Sequence, residues 1–168
     1  MENKLWNEAT SIPSYSQQPS QYQEHILEQY KLCVTMADQV SARRNLANVF
    51  FASINTTMLG VIAFYFEKLQ TPSPKNLITI PILGAIILCG VWWWIIRSYR
   101  QLNAAKFKVI GKLEERLPAN AFVKTEWVEL GEGKDFKKYT PLSIIENTVP
   151  ILFTILYAVI AFYNLSTE

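Results

Sequence analysis

Long uncharged blocks alternate with charged segments along this chain. Residues 48–66, 77–96 and 147–165 contain no Asp, Glu, Lys, Arg or His. Because a helix rises 1.5 Å per residue, about 20 such residues cross the ~30 Å hydrocarbon core of a bilayer. The pattern therefore predicts an all-α membrane protein with three transmembrane helices, over 47–66, 77–96 and 147–165.

Two charged segments beside these blocks also have helical periodicity. Residues 97–117 carry an apolar stripe and contain no helix breaker before Pro118, so the second span is expected to continue as a cytoplasmic helix. Residues 21–46 predict an amphipathic cytoplasmic helix that packs against protein. Its apolar stripe repeats at steps of three or four and consists of Tyr22, Ile26, Tyr30, Cys33, Ala37 and Val40.

The remaining segments lack this periodicity. Residues 1–20 are rich in Ser, Pro, Gln and Asn and predict a disordered cytoplasmic lead. Pro72 and Pro74 predict a short turn between the first two spans. Residues 118–146 are expected to form a cytoplasmic loop with a small β-hairpin or hooked loop, because Gly131 and Gly133 separate two runs of aromatic and β-branched residues.

The placement of charge is more informative than its sum. The formal net charge is only +2, which does not indicate a nucleic-acid partner. Of the 16 Lys and Arg residues, four precede the first span and ten lie between the second and third spans. The positive-inside rule then predicts a multi-pass protein with a cytoplasmic N-terminus and a periplasmic C-terminus. Membrane lipids are its expected partners along the spans.

Three consecutive tryptophans end the second span. Trp92, Trp93 and Trp94 are interpreted as anchors at the membrane interface, where an apolar ring and a polar indole N–H are both accommodated. A cage of aromatic side chains around one ligand is the weaker alternative, because consecutive side chains point about 100° apart on a helix and do not converge.

The first span contains more polar and small residues than lipid contact requires. Asn48 and Asn55 are seven residues apart and share a face, while Ala52, Thr56 and Gly60 form a ridge of small residues. We interpret this surface as a contact between helices, including helices of neighbouring copies. The alternative is that the amides line a water-filled pore.

Charged residues cluster where the helices are expected to leave the membrane. Arg43, Arg44, Arg100 and Glu146 are the candidate interfacial charges, and Asp38 and Glu114 are further candidates for ion pairs. Glu146, four residues before Pro150, is a functional candidate because a carboxylate at membrane depth is costly. Its simpler interpretation is a charge in water at the start of the third span, favourable to the helix dipole.

The residues do not indicate an enzyme. The chain has one histidine, His25, and two cysteines, Cys33 and Cys89, which the predicted topology separates. These residues supply neither a zinc tetrad nor a Ser–His–Asp set. We therefore predict no catalytic residues, no metal and no cofactor.

A set of residues spread over nearly everything after residue 20 forms a pattern of its own: Tyr30, Lys31, Ala37, Asp38, Ser41, Arg43, Arg44, Asn48, Phe50, Phe51, Asn55, Ser98, Tyr99, Arg100, Leu102, Asn103, Lys106, Phe107, Leu113, Glu114, Leu117, Pro118, Trp127, Tyr139, Ser143, Glu146 and Pro150. In these residues the chain resembles the RipA-type small integral membrane proteins of bacteria, although Cys33 stands where a tyrosine is expected. The resemblance implies an inner-membrane protein that forms a homo-oligomer, an octamer, without established enzymatic activity.

Two functions are compatible with these observations. The first is a structural or adaptor oligomer whose cytoplasmic helices form a ring that organises partners or lipids. The second is an oligomeric pore or membrane effector, favoured by the polar face of the first span and by a looser resemblance to the two-span SLATT effectors of bacterial conflict systems. A pore requires the two asparagines to face a central axis.

Overall fold

The computed structural model describes residues 5–7, 15, 19–68, 76–135 and 137–166, and this part of the chain is helical without a β-strand. Its three long helices are α1 (Pro19–Lys68), α2 (Asn76–Glu114) and α3 (Leu142–Ser166). Each is long and apolar enough to cross a membrane. The prediction of an all-α protein with three helices able to span a membrane is confirmed for the described residues.

Two of the helices are longer than the membrane requires. The predicted segments 21–46 and 47–66 form the single helix α1. The predicted segments 77–96 and 97–117 are joined in the single helix α2, which ends at Glu114, three residues before the predicted end. Pro19 occupies the first position of α1, where its missing N–H has no helical partner to lose. The prediction that the second span continues as a helix beyond its apolar block is confirmed.

The chain divides into two compact units. The first, called here the stem unit, consists of Met1–Ser41 and Gln101–Thr140. The second, the span unit, consists of Ala42–Arg100 and Pro141–Glu168 and contains the three apolar blocks.

The span unit has a packed interior and an apolar outer surface. Two clusters of buried side chains form its interior: one contains Ile62, Ile78, Ile82, Ala85, Cys89 and Tyr157, and the other contains Phe51, Trp92 and Ile96. Large apolar side chains such as Phe64, Ile87 and Phe162 are exposed on its outside. This distribution suits a helix bundle in lipid, where packing between helices, and not exclusion of water, holds them together.

The stem unit is built on the amphipathic stripe of α1. Ile26, Ala37 and Val40 of that stripe are buried, as are Ile110 and Leu113 of α2. The two helices are linked by a hydrogen bond from Asn103 Nδ2 to Ser41 Oγ, 3.3 Å long. The stripe therefore packs against protein within the same chain.

The predicted β-hairpin between 121 and 139 is wrong. A π-helical turn spans Ala121–Glu126, a short α-helical turn spans Trp127–Glu129 and a 3₁₀ turn spans Gly131–Gly133. Residues 131–133 all have positive φ angles, of 70°, 53° and 69°, so they reverse the chain locally and do not join two strands. Phe136, the turn at 69–75 and most of the predicted disordered lead lie outside the described residues.

Candidate functional site

Asn55 is the polar centre of the span unit. Its side chain is 0% exposed, its Nδ2 donates to the Phe51 carbonyl at 2.8 Å, and its Oδ1 accepts from Cys89 Sγ at 3.2 Å. The hydroxyl of Tyr157 donates to the main-chain oxygen of Asn55 at 3.0 Å. Asn55 therefore connects α1 with both α2 and α3 of the same chain.

Asn48 is also engaged within the chain. Its Oδ1 accepts a hydrogen bond from Trp92 Nε1 at 3.0 Å. The Trp92 ring is buried and stacks on Phe51, with ring centroids 5.8 Å apart and an interplanar angle of 10°. Of the three predicted anchors, Trp92 thus packs inside the span unit.

The other two tryptophans have different surroundings. The Arg97 guanidinium lies over the Trp93 ring, 5.4 Å from its centroid. The Trp94 side chain is 71% exposed, which leaves its ring available to lipid headgroups. The anchor interpretation remains a prediction for Trp93 and Trp94.

An ion pair joins α1 and α3 in the span unit. Arg44 Nε lies 3.2 Å from Glu146 Oε2, and the two side chains are only 14% and 12% exposed. Neither of these two atoms makes a well-aligned hydrogen bond, so the contact is electrostatic attraction at close range. Within the chain, Glu146 is largely buried beside an arginine and does not stand in water. The remaining candidates, Arg43 and Arg100, are exposed.

Glu114 is the buried polar centre of the stem unit, as Asn55 is of the span unit. Its side chain is 1% exposed. The carboxylate accepts from the Tyr30 hydroxyl at 3.2 Å and from the backbone N–H groups of Phe122 and Val123 at 3.1 and 3.2 Å. Burial raises the pKa of the Tyr30 phenol, and its hydrogen bond to Glu114 raises it further. The expected ion pair of Glu114 is replaced by these neutral donors.

Glu114 thus fixes the start of the π-helical turn at 121–126. The first N–H groups of a helical segment have no partner within it, and a carboxylate is a good acceptor for them. Sequence patterns did not point to this role, because backbone N–H groups are present at every residue except proline and leave no signature in a sequence.

Two described residues of the lead, Trp6 and Tyr15, contact other parts of the stem unit. Arg116 bonds to the Tyr22 hydroxyl, and its guanidinium lies 3.3 Å from the centroid of the Trp6 ring. The Tyr15 hydroxyl is 2.6 Å from His25 Nδ1. At these positions the N-terminal residues pack against α1 and the segment after α2.

A profile of the octameric membrane protein family (8xMP) matches residues 27–166. The chain belongs to this family. The match agrees with the RipA-type resemblance, and the family's description supports a homo-oligomeric membrane protein. No curated protein and no solved structure matches the chain. The resemblance to SLATT effectors remains a prediction.

For a member of the octameric family, the outward surface of α1 is of particular interest. Ala52 is partly buried, whereas Thr56 and Gly60 are exposed. A Cβ atom placed on Gly60 would meet nothing within 4 Å. The candidates of the first span therefore separate into two groups: the asparagines face the interior of the chain, and Thr56 and Gly60 lie on its outer surface.

The described residues of this family member include no group of three His, Cys, Asp or Glu side chains placed to hold a metal ion. Cys33 is partly buried and Cys89 is buried, and both are free thiols.

Gly111 is a further structural position that sequence analysis did not identify. A Cβ atom on Gly111 would lie 2.6 Å from Val123 Cγ2, and the β-branched Val123 has little freedom to move away. We expect Gly111→Ala to displace the π-helical turn. The free energy of unfolding of the stem unit should fall by about 1–3 kcal/mol, and its melting temperature should fall with it. Gly84→Ala is the control, because a Cβ atom there meets nothing within 4 Å.

Amide hydrogen exchange measures the displacement directly. Faster exchange at Phe122 and Val123 in Gly111→Ala, with unchanged exchange in Gly84→Ala, is the expected result. Wild-type exchange rates in Gly111→Ala would show that α2 and the turn at 121–126 do not pack as closely as described.

Proposed function

We propose that the protein is the subunit of an octameric, non-catalytic scaffold in the bacterial inner membrane. Its spans hold the ring together in lipid, and its stem units form a cytoplasmic ring of helices that organises partner proteins or lipids. The observation that carries this proposal is the match of 140 residues, 27–166, to a family described as octameric. The proposed role requires no catalytic residue and no cofactor.

The use of polar side chains inside the span unit supports a scaffold over a pore. A pore lined by Asn48 and Asn55 needs both amides to face water. Asn55 instead has no exposed surface, and the Asn48 carbonyl oxygen accepts from Trp92 Nε1. Amides that bond within a helix bundle contribute packing specificity without conduction.

Two hydroxyl groups of the first span donate to carbonyl groups one turn earlier in the same helix. Ser53 Oγ donates to the Val49 carbonyl at 2.8 Å, and Thr57 Oγ1 donates to the Ser53 carbonyl at 2.9 Å. Such back-bonding lets an exposed serine or threonine face lipid or another helix without an unpaired donor. These side chains therefore require no water-filled axis.

The proposed orientation follows the basic residues. Five Lys or Arg residues lie on α2 beyond Trp93 and Trp94, namely Arg97, Arg100, Lys106, Lys108 and Lys112, and Arg116 follows two residues after the helix ends at Glu114. The positive-inside rule places this end and the N-terminus in the cytoplasm and the C-terminus in the periplasm. Maleimide labelling of intact cells at single cysteines introduced near each terminus tests this arrangement.

The deciding experiment measures the native mass of the detergent-extracted protein and then ion flux in liposomes on the same sample. An octamer that passes no ions is the result expected for a scaffold. An octamer with flux would favour the pore, and a monomer would contradict both functions.

The outward surface of α1 gives a second prediction. We expect Gly60→Leu to lower the fraction of octamer, because a bulky side chain prevents the close approach that a ridge of small residues allows. Gly90→Leu on α2 is the control, since both glycines are exposed and open within the chain. Native mass measurements compare the two. Equal octamer fractions would show that lipid, and not a neighbouring copy, covers Thr56 and Gly60.

A further inference from the structure

The stem unit contains an apolar groove between α1 and α2. It has a volume of about 320 Å³ and is lined by Cys33, Met36, Leu102, Ala105, Lys106 and Val109. Met36, Leu102 and Val109 are between 37% and 47% exposed. These residues lie outside the uncharged blocks, so the groove is an apolar surface in a segment that carries charges.

The opposite flank of α1 has complementary chemistry. Since each helical residue turns the chain by about 100°, Leu27 lies about 180° from Met36. Leu27, Val34 and Asp38 follow at intervals of seven and four residues, which places them on one flank. Leu27 and Asp38 are exposed and Val34 is partly buried. Lys31 also lies on this flank, where it is paired with Glu28, so the flank is an apolar edge whose carboxylate is that of Asp38.

The charges of the groove and of this flank are opposite. Within the part of the chain that the structure describes, Lys106 and Asp38 have no ion-pair partner. Lys106 lines the groove, and Asp38 lies on the other side of α1, about 140° from Cys33. A single chain therefore presents a basic apolar groove on one side and an acidic apolar edge on the other.

We propose that the groove of each copy receives the Leu27–Val34–Asp38 edge of the next copy, with Asp38 of one copy paired to Lys106 of its neighbour. Two different surfaces on opposite flanks form a head-to-tail contact, which closes into a ring when the rotation between copies allows it. This inference rests on the proposed octamer and assigns the interface that the stem units contribute to it.

Charge reversal tests the pairing. We expect Asp38→Lys and Lys106→Glu each to weaken the contact by roughly tenfold or more, because each places like charges together at a partly desolvated interface. The octamer fraction, measured by native mass as the protein is diluted, should fall in both variants. Lys108→Glu is the control, because Lys108 is exposed and lies about 160° around α2 from Lys106.

Mixing the two defective variants separates a contact between copies from one within a copy. In a ring that alternates Asp38→Lys and Lys106→Glu subunits, every interface again has one positive and one negative partner. Eight is an even number, so such a ring closes without a mismatch. Co-expression of the two variants with different tags should therefore restore the octamer, and so should the double variant in a single chain.

The thiol of Cys33 provides a second readout. Cys33 lines the groove, whereas Cys89 is buried in the span unit. We expect maleimide to label Cys33 slowly in the wild-type octamer and faster in each single variant, with slow labelling restored in the mixture. Melting temperatures of the variants identify any effect that comes from misfolding.

Different outcomes identify different errors. Restoration by the double variant but not by the mixture would place the Asp38–Lys106 pairing within one chain and overturn the inference. A wild-type octamer that neither single variant weakens would also overturn it, while leaving the proposed scaffold intact. A wild-type monomer would instead contradict the proposed function itself.

Discussion

We expect Glu114→Ala to lower the free energy of unfolding of the stem unit by about 3 kcal/mol or more. The change removes the acceptor for the Tyr30 hydroxyl and for the backbone N–H groups of Phe122 and Val123. Buried donors without a partner are costly, and hydrogen bonds to a charged acceptor are the stronger ones. Amide exchange at Phe122 and Val123 should accelerate, and trypsin should cleave sooner after Lys124.

The neighbouring glutamate is the matched control for this prediction. Glu115 is exposed and bonds only to Lys112 among the interactions described, so Glu115→Ala should change neither amide exchange nor cleavage. Glu114→Gln retains an acceptor oxygen and should have an intermediate effect. If Glu114→Ala and Glu115→Ala were equally stable, the carboxylate would not be what fixes the turn at 121–126.

The second large effect concerns the ion pair of the span unit. We expect Glu146→Leu to destabilise this unit by about 3 kcal/mol, because Arg44 is then left as an unpaired charge in a buried position. Only 14% of the Arg44 side chain is exposed, so little water reaches it within the chain. Reaction of the buried Cys89 thiol with a fluorescent maleimide on heating, in a Cys33→Ser background, measures the melting of this unit.

The double variant distinguishes pairing from simple loss of a side chain. Arg44→Leu with Glu146→Leu removes both charges and should be more stable than either single variant, because an apolar pair is tolerated where a lone charge is not. Arg43→Leu is the control, since Arg43 is adjacent and exposed. Additive losses in the double variant would show that the two groups do not interact.

Sequence patterns were sufficient for the helices and insufficient for the segment after α2. Three uncharged blocks and the stripe of Ile26, Ala37 and Val40 predicted both the spans and the buried face of α1, because length and periodicity are properties of the helix itself. The hairpin prediction for 121–139 failed because Gly131 and Gly133 mark a turn without specifying what it joins. The helical turn at 121–126 instead begins at a contact with the Glu114 carboxylate, and no repeating pattern in the sequence links Glu114 to that segment.

The candidate site was predicted in part for a similar reason. Asn48, Asn55, Arg44 and Glu146 were all recognisable as costly residues in or near a membrane, and the structure places each in a specific contact. The partners of the two asparagines, Trp92 and Cys89, lie on α2, so spacing along α1 does not reveal them. The sequence alone therefore favours an interface anchor at Trp92, whereas in the structure its indole N–H bonds to Asn48.

The contact between Tyr157 and the Asn55 carbonyl has a consequence for biogenesis. The acceptor lies on α1, which with α2 is synthesised before α3, and the Tyr157 side chain is completely buried against this pair of helices. The receiving surface can therefore be complete in the bilayer before the ribosome reaches residue 157. The last helix then packs onto a hairpin that is already in the bilayer, and a chain that ends before α3 lacks both the Tyr157 contact and the partner of Arg44.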